Sequence, residues 1–432
     1  MGRAPRRGFL IMSGAAGAAP HSGRSPEGRH DGEADYFLGE GNVSDAAKVS
    51  DRLHISVSPA IKQVMPEFKI SRAVRAGAWL FTNGQMDMGA GGKVLNPGDL
   101  MAQTFACMRS VYEVIAKADC RLTELAQLQI FYLATSVGDE AAYRSEILAE
   151  FPECADVLIV MTPVPSFATV GSEVEIDAIA VTGRRASVTD ADGAVQAVRR
   201  GDWLLASSRA AHGAPLCDGL RIALERLDGE LADICRLYVY FPADLPAADR
   251  AAIERELGAL FGRSPPAYHA ALLPAQKDRA FCVELEAIAH TGADADKIRQ
   301  GRAPAPYPAF DWPFAETLRC ADVVFASGQA PTDDRGAILH KGNIADQARL
   351  VMRKLEQALN RSGADIADLV KIKTYYEGAW DKENWFDNLR ARMELLSDPG
   401  PASSGIEGLR PVMADTLLSV DGIAVIDGAP LA

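Results

Sequence analysis

The sequence predicts an α+β fold written three times in one chain. A strand running into a small-residue turn recurs at "WLFTNGQ" (79–85), "WLLASSR" (203–209) and "VVFASGQ" (323–329), with starts roughly 120 residues apart. After each comes a helix whose apolar residues return at intervals of three and four. Each unit closes on an alternating strand: "EVEIDAIAV" (173–181), "CVELEAIAH" (282–290) and "LLSVDGIAV" (417–425).

The elements between these landmarks repeat in order. The first helix carries Met101, Phe105, Met108, Tyr112 and Ile115 in the first unit. The second unit has Leu216, Leu220, Leu224, Leu227 and Leu231, and the third Ile344, Ala348, Val351, Leu355 and Leu359. A strand follows, at 122–133, 231–242 and 366–378, then a second helix at 139–151, 249–261 and 382–396. Strands, helix, strand, helix, strands is the order of a small sheet covered on one face. The other face must pack on something, and Val174, Ile176 and Ala178, alternating with Glu175 and Asp177, are expected to supply its apolar surface. Three copies turned toward a common axis would bury one another's open faces as a cyclic trimer does, although three separate beads remain the alternative. The expected units are residues 51–184, a degenerate 185–292, and 303–432, joined by polar linkers at 182–195 and 291–304.

Composition narrows the function. A chain of 432 residues with 48% apolar content supports substantial cores. Its net charge of −13 offers no basic face for phosphates, so nucleic acid is not an expected partner. No apolar run approaches a membrane span, and membranes are excluded as well. Seven cysteines, odd in number and never spaced CxxC, read as reduced thiols of a cytoplasmic protein. Seven histidines form no ligand pair at helical spacing, so no metal is expected. Residues 1–50 read as a flexible arm. Within it Arg6-Arg7 followed by Phe9-Leu10 is similar to a twin-arginine export signal, though Ser13 and Gly14 break the apolar stretch and Met12 is an alternative start.

The Ser-Gly-Gln turn, the helix starts "MAQTF" (101–105) and "ADQARLVM" (345–352), the strand "VKIKTYY" (370–376) and the closing "VEIDAIA" together resemble the Rid (YjgF-like) family. The resemblance covers roughly 65–183 and 305–428 and is faint over 195–290. It implies small α+β, chorismate-mutase-like domains, sheets inward and helices outward, with active sites in clefts between trimer subunits. It also implies hydrolysis of enamines or imines to ketones and ammonia, without metal or organic cofactor. A fused, pseudo-threefold version is similar to cyanuric acid hydrolases and barbiturases in architecture alone, because their Ser-Gly-Gly motifs are missing here.

The family's carboxylate-binding Arg, in a Pro-Ala-Arg segment, is absent from all three copies. "PVPSFATV" (163–170), "PAYHAALLP" (266–274) and "PASSGIEGL" (401–409) place Pro165, Tyr268 and Ser403 there instead. The family's acidic residue on the closing strand, which orients water, corresponds to Glu175 and Glu284, while the third copy has Ser419. A Glu in a partly apolar cleft has its pKa raised, which suits proton transfer near neutrality; a solvated strand Glu is the bland alternative. Arg209 replaces the turn's Gln in the second copy and is either a substitute carboxylate anchor or a structural ion-pair member. Asn83-Gly84 and Ser327-Gly328 are expected to present backbone N–H groups to a cleft, unless the glycines serve only the turn. Tyr375-Tyr376 and Trp312/Phe314 either line clefts or fill cores, and His269 is either a proton shuttle or structural.

The expected function is a small-molecule hydrolase or deaminase acting on an enamine, imine or cyclic amide at one or two divergent inter-repeat clefts. A chorismatase-type lyase or hydrolase, whose members also resemble tandem Rid-like domains, is the alternative enzyme. A metabolite-binding or scaffold protein that lost the site is the non-catalytic one. The expected particle is a monomeric pseudo-trimer or a weak homo-oligomer binding a small molecule.

Overall fold

The computed structural model describes residues 46–49, 52–57, 62, 65–89, 92–262, 265–274, 281–292, 297–301, 314–378 and 382–426. The segment similar to an export signal, most of the arm and Trp312 lie outside them. Three sheets carry the architecture.

The first sheet contains β1 (Ala46–Val49), β2 (Arg52–Ile55), β3 (Ala73–Ala76), β4 (Trp79–Thr82), β5 (Leu125–Leu133), β6 (Leu158–Val164) and β7 (Val174–Val181), in the order β1-β2-β3-β4-β7-β5-β6. The second contains β8 (Arg185–Thr189), β9 (Val195–Arg200), β10 (Trp203–Ala211), β11 (Ile234–Pro242), β12 (Ala267–Leu273) and β13 (Phe281–His290). The third is built from β14 (Lys297–Gln300), β15 (Thr317–Cys320), β16 (Val323–Gln329), β17 (Leu369–Tyr376), β18 (Ala402–Glu407) and β20 (Leu418–Val425). Between the last two in sequence, β19 (Arg410–Pro411) leaves the third lobe and pairs with β12, extending the second sheet. Two stretches expected as linkers therefore contribute strands, β8 and β14, and β1 reaches into the expected arm.

Helices α1 (Leu100–Lys117) and α2 (Glu140–Glu150) belong to the first lobe, α3 (Asp218–Glu225) and α4 (Ala247–Phe261) to the second, and α5 (Ile344–Arg361) and α6 (Lys382–Met393) to the third. The Asp99 carboxylate accepts from the Ala102 N–H at the start of α1, and the Asn343 side chain accepts from the Asp346 N–H at α5. Lys117 and Arg361 complement the opposite helix ends. α3 is short: Cys217 offers no capping side-chain bond, and Asp228, with a positive φ, ends the segment before Gly229. Leu216, Leu220, Leu224 and Leu227 are nevertheless buried on the second sheet.

The alternation on the closing strand has the opposite sense to that expected. Val174, Ile176 and Ala178 lie under α1 with Cys107, Val111 and Ile115. Glu175 and Asp177 occupy the other face, with Val181 and the partly buried Ile179. Both faces are covered, so period two identified the two sets without telling which looked outward. On the inner side, Trp79 and Phe81 join Trp203, Leu205 and Ile288 of the second lobe and Val323, Phe325 and Ile423 of the third in one apolar cluster. Trp203 meets Trp79 edge-on at 4.8 Å between centroids and Phe325 at 6.0 Å. Burial of each such side chain contributes about 1.5–3 kcal/mol. The lead-in segments cross over too: Val57, Met65, Phe68 and Ile70 pack into the third lobe's core, and Phe314 into the second's.

All seven cysteines are unpaired, and six are buried. Among the described residues, no helix is long and apolar enough to cross a membrane.

Candidate active sites at the lobe seams

A polar layer crosses the inner faces, and one register position sets it in each lobe. Gln127, Arg236 and Lys371 lie opposite Ile179, Ile288 and Ile423 of the respective closing strands. Each reaches the carboxylate two residues before that isoleucine in a different lobe. Lys371 Nζ lies 2.9 Å from Asp177, Arg236 Nη2 2.5 Å from Asp421, and Gln127 Nε2 2.7 Å from Glu286. The third lobe thus reaches the first and the first the second by hydrogen bonds, and the second reaches the third by an ion pair. Lys371 also donates to the Thr82 carbonyl at 2.6 Å, and Arg236 to that of Ala326 at 3.0 Å, so both tie down the strand just before a turn.

Those turns are held by their glutamine. Gln85 Nε2 donates to the Asn83 carbonyl at 3.3 Å, and Gln329 Nε2 to the Ser327 carbonyl at 3.0 Å. Gln85 also donates to the Asn83 side-chain oxygen, while the Asn83 and Ser327 backbone N–H groups, expected to face a cleft, donate to the Arg72 and Glu316 carbonyls at 2.8 Å. Ser327 Oγ donates to the Ala315 carbonyl and accepts from the Tyr268 N–H at 2.7 Å, bracketing the second and third lobes. Neither Gly84 nor Gly328 has a positive φ. They are small for another reason: a Cβ on Gly84 would overlap the Glu175 carboxylate, and one on Gly328 the His269 ring.

Glu175 is 7% exposed, and its carboxyl has no hydrogen bond or ion pair to any described residue. Burial, reinforced by the nearby Asp177 charge and only partly offset by Lys371, raises its pKa to about 8. Asp177 behaves oppositely. Burial would push it up, but Lys371 and Lys373, with a hydrogen bond from Ser404 Oγ at 2.8 Å, hold it below the ordinary range.

The second lobe's site is closed on itself. Arg209 Nε lies 2.7 Å from Glu284 Oε2, while its other nitrogens reach Glu140 and, at 3.0 Å, the Met161 carbonyl of the first lobe. Burial raises the Glu284 pKa against the pull of Arg209. The Arg209 guanidinium is thus engaged by two carboxylates and a carbonyl of its own chain.

The third turn faces the second lobe. His269 Nε2 lies 2.8 Å from Ser419 Oγ, and its Nδ1 bonds to Asp421. Burial lowers the His269 pKa, with Asp421 opposing and Arg236 and Lys373 adding to the effect. His269, Gly328 and Ser419 line a pocket with a cavity volume of about 30 Å³.

The outer strands fix which residues stand at equivalent places. Ile159, Tyr268 and Ser403 share one register position, so Pro165 drops out of the alignment that the sequence suggested. Tyr268 and Ser403 direct their side chains elsewhere. The Tyr268 hydroxyl donates to Glu254 of α4 at 2.8 Å, and Ser403 Oγ accepts from Arg392 of α6 at 3.1 Å. The seam-facing position is the next one, occupied by Val160, His269 and Ser404. Tyr375 bonds to Tyr240 across the interior at 2.7 Å, whereas Tyr376 lies in the third lobe's core. Phe314 stacks on Tyr268 at 4.4 Å.

The sequence profile described as endoribonuclease L-PSP matches residues 61–182 and 305–426, together more than half the chain. The chain belongs to the Rid (YjgF-like) family. The two matched segments are the first and third lobes, with the second between them. Among relatives of this Rid-family chain, a RutC family protein of Pyrococcus horikoshii is 25% identical over 112 residues, 26% of this chain and 86% of the relative. A 2-iminobutanoate/2-iminopropanoate deaminase of Dermatophagoides farinae is 24% identical over 123 residues, 28% of this chain and 91% of the relative. The crystal structure of a chorismatase superposes with a TM-score of 0.51, covering 70% of this chain and 93% of the other at 14% identity, a likeness of fold.

Proposed function

We propose that this Rid-family chain is a cofactor-independent hydrolase or deaminase acting on a small enamine, imine or cyclic amide, with Glu175 as its general acid and base. One observation carries the reading. Glu175 is a buried carboxyl with no described partner and a pKa of about 8, lying under the glycine of a turn at the seam between the first and third lobes. At neutral pH it holds a proton. That proton goes to an imine nitrogen as water adds to the carbon, and the resulting carboxylate takes one proton from the added water; the carboxyl then hands this proton to the amine nitrogen and takes the remaining hydroxyl proton as ammonia leaves and the ketone forms.

The cyclic set of Gln127, Arg236 and Lys371 contacts supports reading the units 51–184, 185–292 and 303–432 as a pseudo-threefold ring within one chain, monomeric or weakly associating. Unpaired thiols support a cytoplasmic location. A chorismatase-type reaction on a cyclic enol-ether acid is the second reading, motivated by the likeness of fold over 70% of the chain. It ranks lower because Arg209, Arg236 and Lys371 are each already paired with a carboxylate of this chain.

Ammonia release from freshly generated 2-aminoacrylate, and from an enamine without a carboxylate, tests the proposal. Wild type is expected to accelerate release from at least one of them, and Glu175→Gln to lose about 100-fold or more. Equal rates in the two proteins refute the assignment.

A further inference from the structure

The hydrogen-bonded chain at the other seam is independent of Glu175. Ser419 and Asp421 are two residues apart on β20 and so share its inner face. His269 arrives on β12 of the second lobe and spans the gap between them. An ionised carboxylate only accepts, so Nδ1 carries the ring proton and Nε2 presents its lone pair to the Ser419 hydroxyl. Arg236, 2.5 Å from Asp421, fixes that carboxylate, and the Tyr375 ring packs 4.7 Å from the imidazole. Gly328 admits the imidazole by its missing Cβ. The pocket beside Ser419 has walls of Ala270, Ala330, Pro411, Val412 and Met413, with no cation among its lining residues. Its cavity volume of about 30 Å³ is room for roughly two waters or an acetyl-sized group.

We infer that this seam is a second active site, at which Ser419 is the nucleophile for acyl transfer from a small, uncharged ester. His269 is the general base, and Asp421 positions it in the required tautomer. Ser419 Oγ bonds to the carbonyl carbon while its proton passes to His269 Nε2. The carbon–oxygen bond to the leaving alcohol then breaks, and the alcohol departs with that proton. Water attacks the acyl-serine, gives its proton to Nε2, and the returning proton restores the Ser419 hydroxyl as the carboxylic acid is released.

The folded full-length protein is treated with p-nitrophenyl acetate and, separately, with a small alkyl fluorophosphonate followed by peptide mass mapping. A burst of nitrophenolate and phosphonylation of Ser419 are expected. Ser419→Ala should lose both, and His269→Gln should slow labelling at least 100-fold with Ser419 still in place. Should either variant fail to fold, wild-type labelling alone decides. A wild type that shows no burst and no label at Ser419, or a folded Ser419→Ala that hydrolyses the ester at the wild-type rate, overturns the inference.

Discussion

Lys371 Nζ lies 2.9 Å from Asp177 Oδ2, joining strands 194 residues apart, and both side chains are almost fully buried. The pair is further held by the Thr82 carbonyl and Ser404 Oγ, so both charges have the polar neighbours that make burial tolerable. Removing one partner leaves the other charge in a low-dielectric interior. Asp177→Asn should lower stability by about 3–5 kcal/mol, whereas the double change Asp177→Asn with Lys371→Met should recover much of the loss. Urea unfolding of wild type and the two variants measures this. Equal losses in the single and double variants would show that the pair does not couple the lobes.

Glu175 makes stability depend on pH with a definite sign. Its folded pKa of about 8 lies above the ordinary value of 4.5, so folding takes up a proton between those values. The contribution is complete below the unfolded pKa and is lost as pH rises through about 8, up to several kcal/mol in all. Wild type should therefore lose more stability than Glu175→Gln between pH 4 and pH 9, values that bracket the interval. Urea midpoints at the two pH values test it, and parallel behaviour contradicts the buried, protonated acid.

Gly84 is expected to be intolerant because of Glu175 and not because of its backbone. Gly84→Ala should cost about 1–3 kcal/mol through overpacking, and adding Glu175→Ala should restore most of it. Thermal melts of the single and double variants provide the comparison. A single variant as stable as wild type would mean that the carboxylate is not under the turn.

Arg209 should behave as a structural residue. Its side chain is 36% exposed, which weakens the pairing by solvent screening, yet Glu284 beneath it is 3% exposed. Arg209→Ala is expected to lower stability by about 1–3 kcal/mol while leaving substrate KM unchanged. A raised KM at unchanged stability would return Arg209 to substrate binding.

The strands and helices of the first and third lobes were legible because periods of two and 3.6 are local properties, and the turn-helix-strand order occurs in both. Glu175 was legible as an acid on a closing strand, and Arg209 as a charge in a turn. What the sequence hid was facing and partnership. Val174 and Glu175 lie on faces that are both buried, so alternation alone gave the two sets without their direction. His269 meets Ser419 across 150 residues of chain, a distance at which spacing carries no signal. A usable signal did exist: Glu175-Ile-Asp177, Glu284-Leu-Glu286 and Ser419-Val-Asp421 repeat a polar-apolar-acid triplet at one place in each closing strand. Acids that recur inside the most apolar strands imply buried partners.

Infrared difference spectroscopy of the Glu175 carboxyl, comparing wild type with Glu175→Gln from pH 5 to pH 10, reads the proposed proton donor directly. A protonated carboxyl band present at neutral pH, vanishing with a midpoint near 8 and missing from the variant, is the predicted result. A side chain already ionised at pH 5 would contradict it.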